Sequence, residues 1–149
     1  MDTVAQLVDD FAVLDDWEDR YRHVIELGRG LPPLAEARHV AANKVMGCAS
    51  QVWIISETSG PQQNPVLHFT GDSDALIVKG LIAVAFIIYS DKPALDILAT
   101  DSAAILKQLG LSEHLTPQRS NGFASMLARI RADAAAALQA SSATGTFGR

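Results

Sequence analysis

Apolar residues along this chain change their spacing twice, dividing it into a helical start, a β middle and a helical end. Val4, Leu7, Val8, Phe11 and Leu14 recur at three- and four-residue steps, which predicts a helix over residues 3–14. Thr3 with Gln6 forms a capping box at its start. A second helix is predicted from Asp15 as N-cap, with Glu18 reaching back from the third position. Trp17, Tyr21, Val24 and Ile25 make its apolar stripe, and Glu18 with Arg22 forms an i,i+4 pair on the wet face. Gly28, Gly30, Pro32 and Pro33 end it.

The middle of the chain has a strand-like pattern. His39–Met46 is its faintest segment and leads into a Gly47-Cys48 turn. Val52–Glu57 and Val66–Thr70 are richer in β-branched residues. The polar stretch Ser59-Gly60-Pro61-Gln62-Gln63-Asn64-Pro65 between them predicts an antiparallel hairpin. Gly71-Asp72-Ser73-Asp74 then opens a helix over about 75–89, with Asp72 or Ser73 as its cap. That helix is apolar on nearly every side, which places it at the centre of a domain. A short helix follows from Pro93 through Leu98, and another from Ser102 to Leu109, closed by Gly110. Thr116-Pro117 opens a last helix to about Gln139, with Phe123, Leu127, Ile130 and Ala134 on one face. Residues 141–149 are small and polar and are expected to fray.

Strands segregated from helices predict an α+β fold: a short antiparallel sheet of about three strands, with helices packed on it. The 149 residues suit a single domain spanning 1–149, and the 48% apolar content suffices for one core. The formal net charge of −5, with scattered basic residues, lacks the footprint of a nucleic-acid binder. The stretch Leu76–Tyr89 is too short to span a bilayer comfortably. Met1-Asp2-Thr3-Val4 has no basic leader region. With one cysteine, these features point to a reducing, cytoplasmic setting and to no membrane partner.

That cysteine, Cys48, lies in Val45-Met46-Gly47-Cys48-Ala49-Ser50-Gln51-Val52-Trp53. It has no second cysteine for an internal disulfide or a multi-thiolate metal site. Its chemistry would be that of a single thiol: nucleophile, redox sensor or covalent carrier. The bland alternative is a small buried hydrophobe. Gly47 permits backbone that a larger residue would hinder, the position is a turn, and Ala49 and Ser50 leave room for an incoming partner.

Other chemistry-bearing residues carry weaker patterns. Asp72, Ser73 and Asp74 suit a helix N-terminus. The same helix end could lie beside Cys48, where its amides would favour a thiolate and its carboxylates would oppose one. Arg119, in the first turn of the last helix, opposes the helix dipole. It would either pair with an acid such as Asp74 or steady an anionic sulfur. The four histidines, His23, His39, His68 and His114, do not cluster, and no spacing supports a Cys48–His114 dyad. Zinc ligands at the usual close spacing are missing.

The stretch Gly47-Cys48-Ala49-Ser50-Gln51-Val52-Trp53 resembles the Gly-Cys-x-Ser-x-Val-Trp signature of the SufE family, the sulfur acceptors of cysteine desulfurases. The likeness continues in Trp17-Glu18-Asp19-Arg20-Tyr21, in Gly71-Asp72-Ser73-Asp74-Ala75 and in His114-Leu115-Thr116-Pro117 with Arg119-Ser120 and Gly122. The resemblance implies a compact fold like that of the iron–sulfur scaffold protein IscU. It further implies that Cys48 accepts persulfide sulfur from a desulfurase of the SufS type, stimulates that enzyme and passes sulfur to a SufBCD-like assembly complex. Gly47, Ser50, Gln51, Asp72, Asp74, His114 and Arg119 would line or support the Cys48 loop. No cofactor and no resident metal are implied; pyridoxal phosphate belongs to the desulfurase. A non-covalent adaptor and a thiol redox sensor are the alternatives.

Overall fold

The computed structural model describes residues 3–147, with side-chain surroundings described through Ala140. Helix α1 (Val4–Ala12) starts at Thr3, whose hydroxyl accepts from the Gln6 amide at 3.1 Å. Helix α2 (Trp17–Arg29) is capped by Asp16 rather than Asp15; the Asp16 carboxylate accepts from the Glu18 amide at 3.1 Å. Arg22 turns to Asp19 at 3.6 Å instead of Glu18, both on exposed surface where such a pair contributes little.

Two short 3₁₀ turns follow, Glu36–Arg38 and Ala41–Asn43, the second inside the His39–Met46 stretch where the pattern predicted a strand. Among the described residues one β-bridge, Lys44 to Trp53, joins the end of this segment to the sheet, and side chains add Arg38 to Glu57 at 3.7 Å and His39 to Asp72 at 2.8 Å. Strands β1 (Val52–Ser59) and β2 (Val66–Ser73) make the expected antiparallel hairpin, each running two or three residues further at its C-terminal end than the pattern indicated. The third strand is β3 (Lys92–Pro93), paired antiparallel to Val66 and Leu67. Sheet order is β1-β2-β3.

Helix α3 (Leu76–Tyr89) is buried along almost its whole length, as its all-round apolarity required. Its cap position is Ala75, not Asp72 or Ser73, which instead end β2. Ser73 still serves the turn, accepting from the Ala75 amide at 3.3 Å. Helices α2 and α3 meet glycine to glycine. A Cβ on Gly28 would lie 2.6 Å from the Gly80 nitrogen, so neither position has space for a side chain.

The chain continues through α4 (Ala94–Ala99), α5 (Ser102–Leu109) and the one-turn helix α6 (Leu111–His114), which the spacing did not reveal. Gly110 closes α5 with φ 76°, a left-handed conformation that glycine adopts without strain. Helix α7 (Pro117–Phe147) runs past Gln139. Its Phe123, Leu127, Ile130 and Ala134 are buried against the core, on the face that the periodicity picked out. Over the stretch 141–149, where fraying was expected, the backbone is helical to Phe147, and residues 148–149 lie outside those described. The architecture is α+β, a three-stranded antiparallel sheet with helices around a core centred on α3.

Candidate functional site

The Cys48 loop is pinned at its base. The Val45 amide donates to the Val52 carbonyl at 2.8 Å, one residue from the Lys44–Trp53 bridge. Gly47 has φ 87°, a conformation that side-chain-bearing residues rarely adopt. A Cβ there would also sit 2.6 Å from the Ser125 hydroxyl on α7. The other flank is tied by Asp74, whose carboxylate accepts from the Gln51 amide at 3.1 Å and whose own amide donates to the Gln51 carbonyl at 3.4 Å.

Between these ties Cys48 points at α7. Its thiol donates to the Gly122 carbonyl at 3.5 Å, and a Cβ on Gly122 would touch Sγ at 3.7 Å. The side chain is half-buried in a cavity of about 340 Å³. Ala75, Val78, Leu81 and Met126 give that cavity apolar walls; Ser50, Thr116 and Arg119 supply polar ones. Burial pushes the Cys48 pKa up, because an apolar surround disfavours the thiolate. At rest the group is therefore a protonated thiol.

Arg119 lines the same cavity. Its guanidinium donates to the Tyr21 hydroxyl at 3.0 Å and lies 5.8 Å from the centre of that ring. It makes no ion pair among the described residues, so the pairing with Asp74 considered from sequence is not formed. Its place in the first turn is explained by the aromatic partner on α2. The Arg119 amide is capped by Thr116 Oγ1 at 3.3 Å.

Two residues that the resemblance implied lie elsewhere. Asp72 faces His39 at 2.8 Å and Lys79 at 3.5 Å. Burial works to raise its pKa, but the His39 hydrogen bond, the Ser73 amide and Lys79 together lower it. The Asp72 hydrogen bond raises the pKa of His39. His39 also meets the Trp53 ring edge-on, 4.6 Å between centres. His114 stacks on Trp17 with ring centres 4.2 Å apart and does not line the cavity. Sequence reasoning missed Ser125 and the apolar walls, and it met Gly122 only within the family likeness, with no place at the site. Gly122 carried a usable signal: a glycine inside a helix, three residues after Arg119, weakens the helix unless something packs closely there.

Among the described residues no group of three or more His, Cys, Asp or Glu side chains is placed to hold a metal ion. No helix among them is long and apolar enough to cross a membrane.

Fold and site together define a class: a small α+β protein with a single thiol held on a turn over an apolar cavity. The chain belongs to the SufE family, whose sequence model, described as an Fe-S metabolism associated domain, matches residues 5–134. It is 56% identical over 134 residues to an uncharacterized SufE-like protein of Rhizobium etli, covering 90% of each chain. It is 49% identical over 140 residues to one of Rhizobium meliloti, covering 94% of this chain and all of the other. The solution structure of a hypothetical protein from Thermus thermophilus superposes with a TM-score of 0.72 at 20% identity, over 91% of this chain and 96% of that one. At that identity the likeness speaks for the fold. Membership in the SufE family suggests a sulfur-transfer adaptor and implies interaction with a cysteine desulfurase.

Proposed function

We propose that Cys48 accepts sulfur from the persulfide of a cysteine desulfurase, stimulates that enzyme by clearing its active cysteine, and relays the sulfur toward iron–sulfur cluster assembly. The protein does this in a reducing, cytoplasmic setting, with a SufBCD-like complex as the downstream acceptor. In the first step the Cys48 thiolate attacks the outer sulfur of the desulfurase persulfide. A bond forms between Cys48 Sγ and that sulfur while the donor's S–S bond breaks. The donor cysteine leaves as a thiolate, the proton of Cys48 goes to solvent or a nearby base, and no net oxidation occurs.

The observation that carries this reading is the placement of Cys48: one thiol, half-buried over an apolar cavity, on a turn whose neighbouring glycine holds a positive φ. The raised pKa keeps the resting thiol protonated and sheltered from oxidants. Extension of Gly47-Cys48 into a donor site would restore water to the thiol, bring its pKa back toward the ordinary range and create the nucleophile where the persulfide is. A peroxide-sensing thiol needs a depressed pKa instead, which the burial of Cys48 opposes.

Intact-protein mass after incubation with a desulfurase and cysteine tests the proposal. The expected result is a gain of about one sulfur atom, absent from Cys48→Ser. Full stimulation of the desulfurase by Cys48→Ser, with no mass gain on the wild type, overturns it and leaves a non-covalent adaptor.

A further inference from the structure

Helix α7 lies beneath the whole Cys48 loop. Gly122 meets Cys48, and Ser125 crowds Gly47. One turn further on, Arg129 reaches the segment that leads into the loop. Its Nη1 donates to the Lys44 carbonyl, and its Nη2 to the carbonyls of Ala42 and Ile54, each at 3.4 Å. Its Nε donates to Asp133 at 3.1 Å, an i,i+4 pair in which both side chains are largely covered. Each carbonyl contact is long, and singly it would count for little. Their convergence is the informative feature. One planar cation gathers oxygens from the 3₁₀ turn, from the bridge residue and from β1, which are the strands of chain that form the base of the loop. A guanidinium, with five donors in a rigid fork, can do this; an ammonium cannot.

We infer that Arg129 is a positioning residue: it clamps the base of the Cys48 loop at Ala42, Lys44 and Ile54, so that opening is confined to residues 46–51. The clamp makes the presented thiol a short flap on a fixed stem. Without it the Ala41–Asn43 turn, held from its two ends by His39 on Asp72 and by the Lys44–Trp53 bridge, would loosen with the loop, and Cys48 would lose its defined rest position over Gly122. Asp133 orients the fork by holding Nε. The inference rests on the sulfur-acceptor reading for its purpose, but its physical content concerns loop opening alone.

The experiment uses iodoacetamide, which reports thiolate exposure without any sulfur donor. Cys48 alkylation is followed from pH 6 to 10 in the wild type, Arg129→Ala, Arg129→Lys and Asp133→Asn, with amide exchange over residues 40–56 and thermal unfolding measured in parallel. Arg129→Ala is expected to speed alkylation about fivefold, the factor that one net hydrogen bond of about 1 kcal/mol controls. It should shift the pH midpoint of alkylation downward and speed exchange at 42–45. Arg129→Lys keeps the charge and the alkyl stem, so it separates the two roles. A clamp gives Lys the fast alkylation of Ala, whereas a packing role leaves Lys at the wild-type rate and overturns the inference. Should Arg129→Ala not fold, Arg129→Lys and Asp133→Asn carry the same test. Unchanged alkylation and exchange in the folded variants refute the clamp while leaving sulfur acceptance standing. A wild-type protein that gains no sulfur, yet shows the fast-alkylating variants, refutes acceptance and leaves the clamp standing.

Discussion

Replacing Gly122 by alanine should stabilise this protein and slow its thiol at the same time. Gly122 is buried in the interior of α7, where glycine costs about 1 kcal/mol relative to alanine. The space exists: the new methyl would meet Cys48 Sγ at 3.7 Å and Cys48 Cα and Cβ at 3.8 Å, all ordinary van der Waals separations. No backbone has to shift. Helix propensity alone therefore favours Gly122→Ala by about 1 kcal/mol, which for a chain of this size raises Tm by about 2–4 °C. The methyl also buries area against Cys48, but only while the loop is closed. Burying one methyl-sized group contributes up to about 0.8 kcal/mol, so the open population should fall about fourfold. Circular dichroism melting and the rate of Cys48 alkylation at fixed pH measure the two effects independently. A lowered Tm, or alkylation as fast as in the wild type, would mean that Cys48 does not rest against Gly122, and the described site would be wrong.

Two further perturbations test the frame around the site. Gly80→Ala should destabilise, because its Cβ would overlap the backbone carbonyl of Val24 and α2 would have to move off α3. Overpacking of this kind costs roughly 1–3 kcal/mol, against roughly 1 kcal/mol of helix propensity in alanine's favour, so a raised Tm would refute the glycine contact. His39→Gln should change stability in a pH-dependent way. Because Asp72 raises the His39 pKa in the folded state, the pair's contribution is full below the unfolded histidine value of about 6.5 and is lost as pH rises through the raised value. It is also lost in acid, once pH falls through the lowered pKa of Asp72. The difference in Tm between wild type and His39→Gln should thus be largest between those limits; a difference constant from pH 5 to 9 would show that the pair does not titrate as described.

Much of the architecture is legible from local pattern. The all-round apolarity of Leu76–Tyr89 announced a buried central helix. The stripe Phe123, Leu127, Ile130 and Ala134 announced the inner face of α7, and Thr116-Pro117 its start. These succeed because period and capping are properties of neighbours in sequence. The third strand was misplaced for the complementary reason. His39–Met46 has a faint strand pattern, but Asn43 donates to the Arg38 carbonyl and His39 turns to Asp72, so the segment coils through the 3₁₀ turn Ala41–Asn43. Lys92–Pro93 is too short to carry any period and becomes a strand only because β2 lies beside it.

For the site, the sequence by itself singled out the thiol and its glycine, since Cys48 is the chain's single cysteine and Gly47 the residue that allows its turn. Which groups surround that thiol was decided by tertiary structure. Gly122 lies 74 residues from Cys48, Arg129 lies 85 from Lys44, and Arg119 lies 98 from Tyr21. Charge and side-chain type made Asp74 an acceptable partner for Arg119 and put Asp72 within reach of Cys48, but packing of α2 against α3 and of α7 beneath the loop chose otherwise. Side-chain pairing across such separations depends on where whole elements come to rest, and that is settled by the burial of their apolar faces together, which no single stretch of residues encodes.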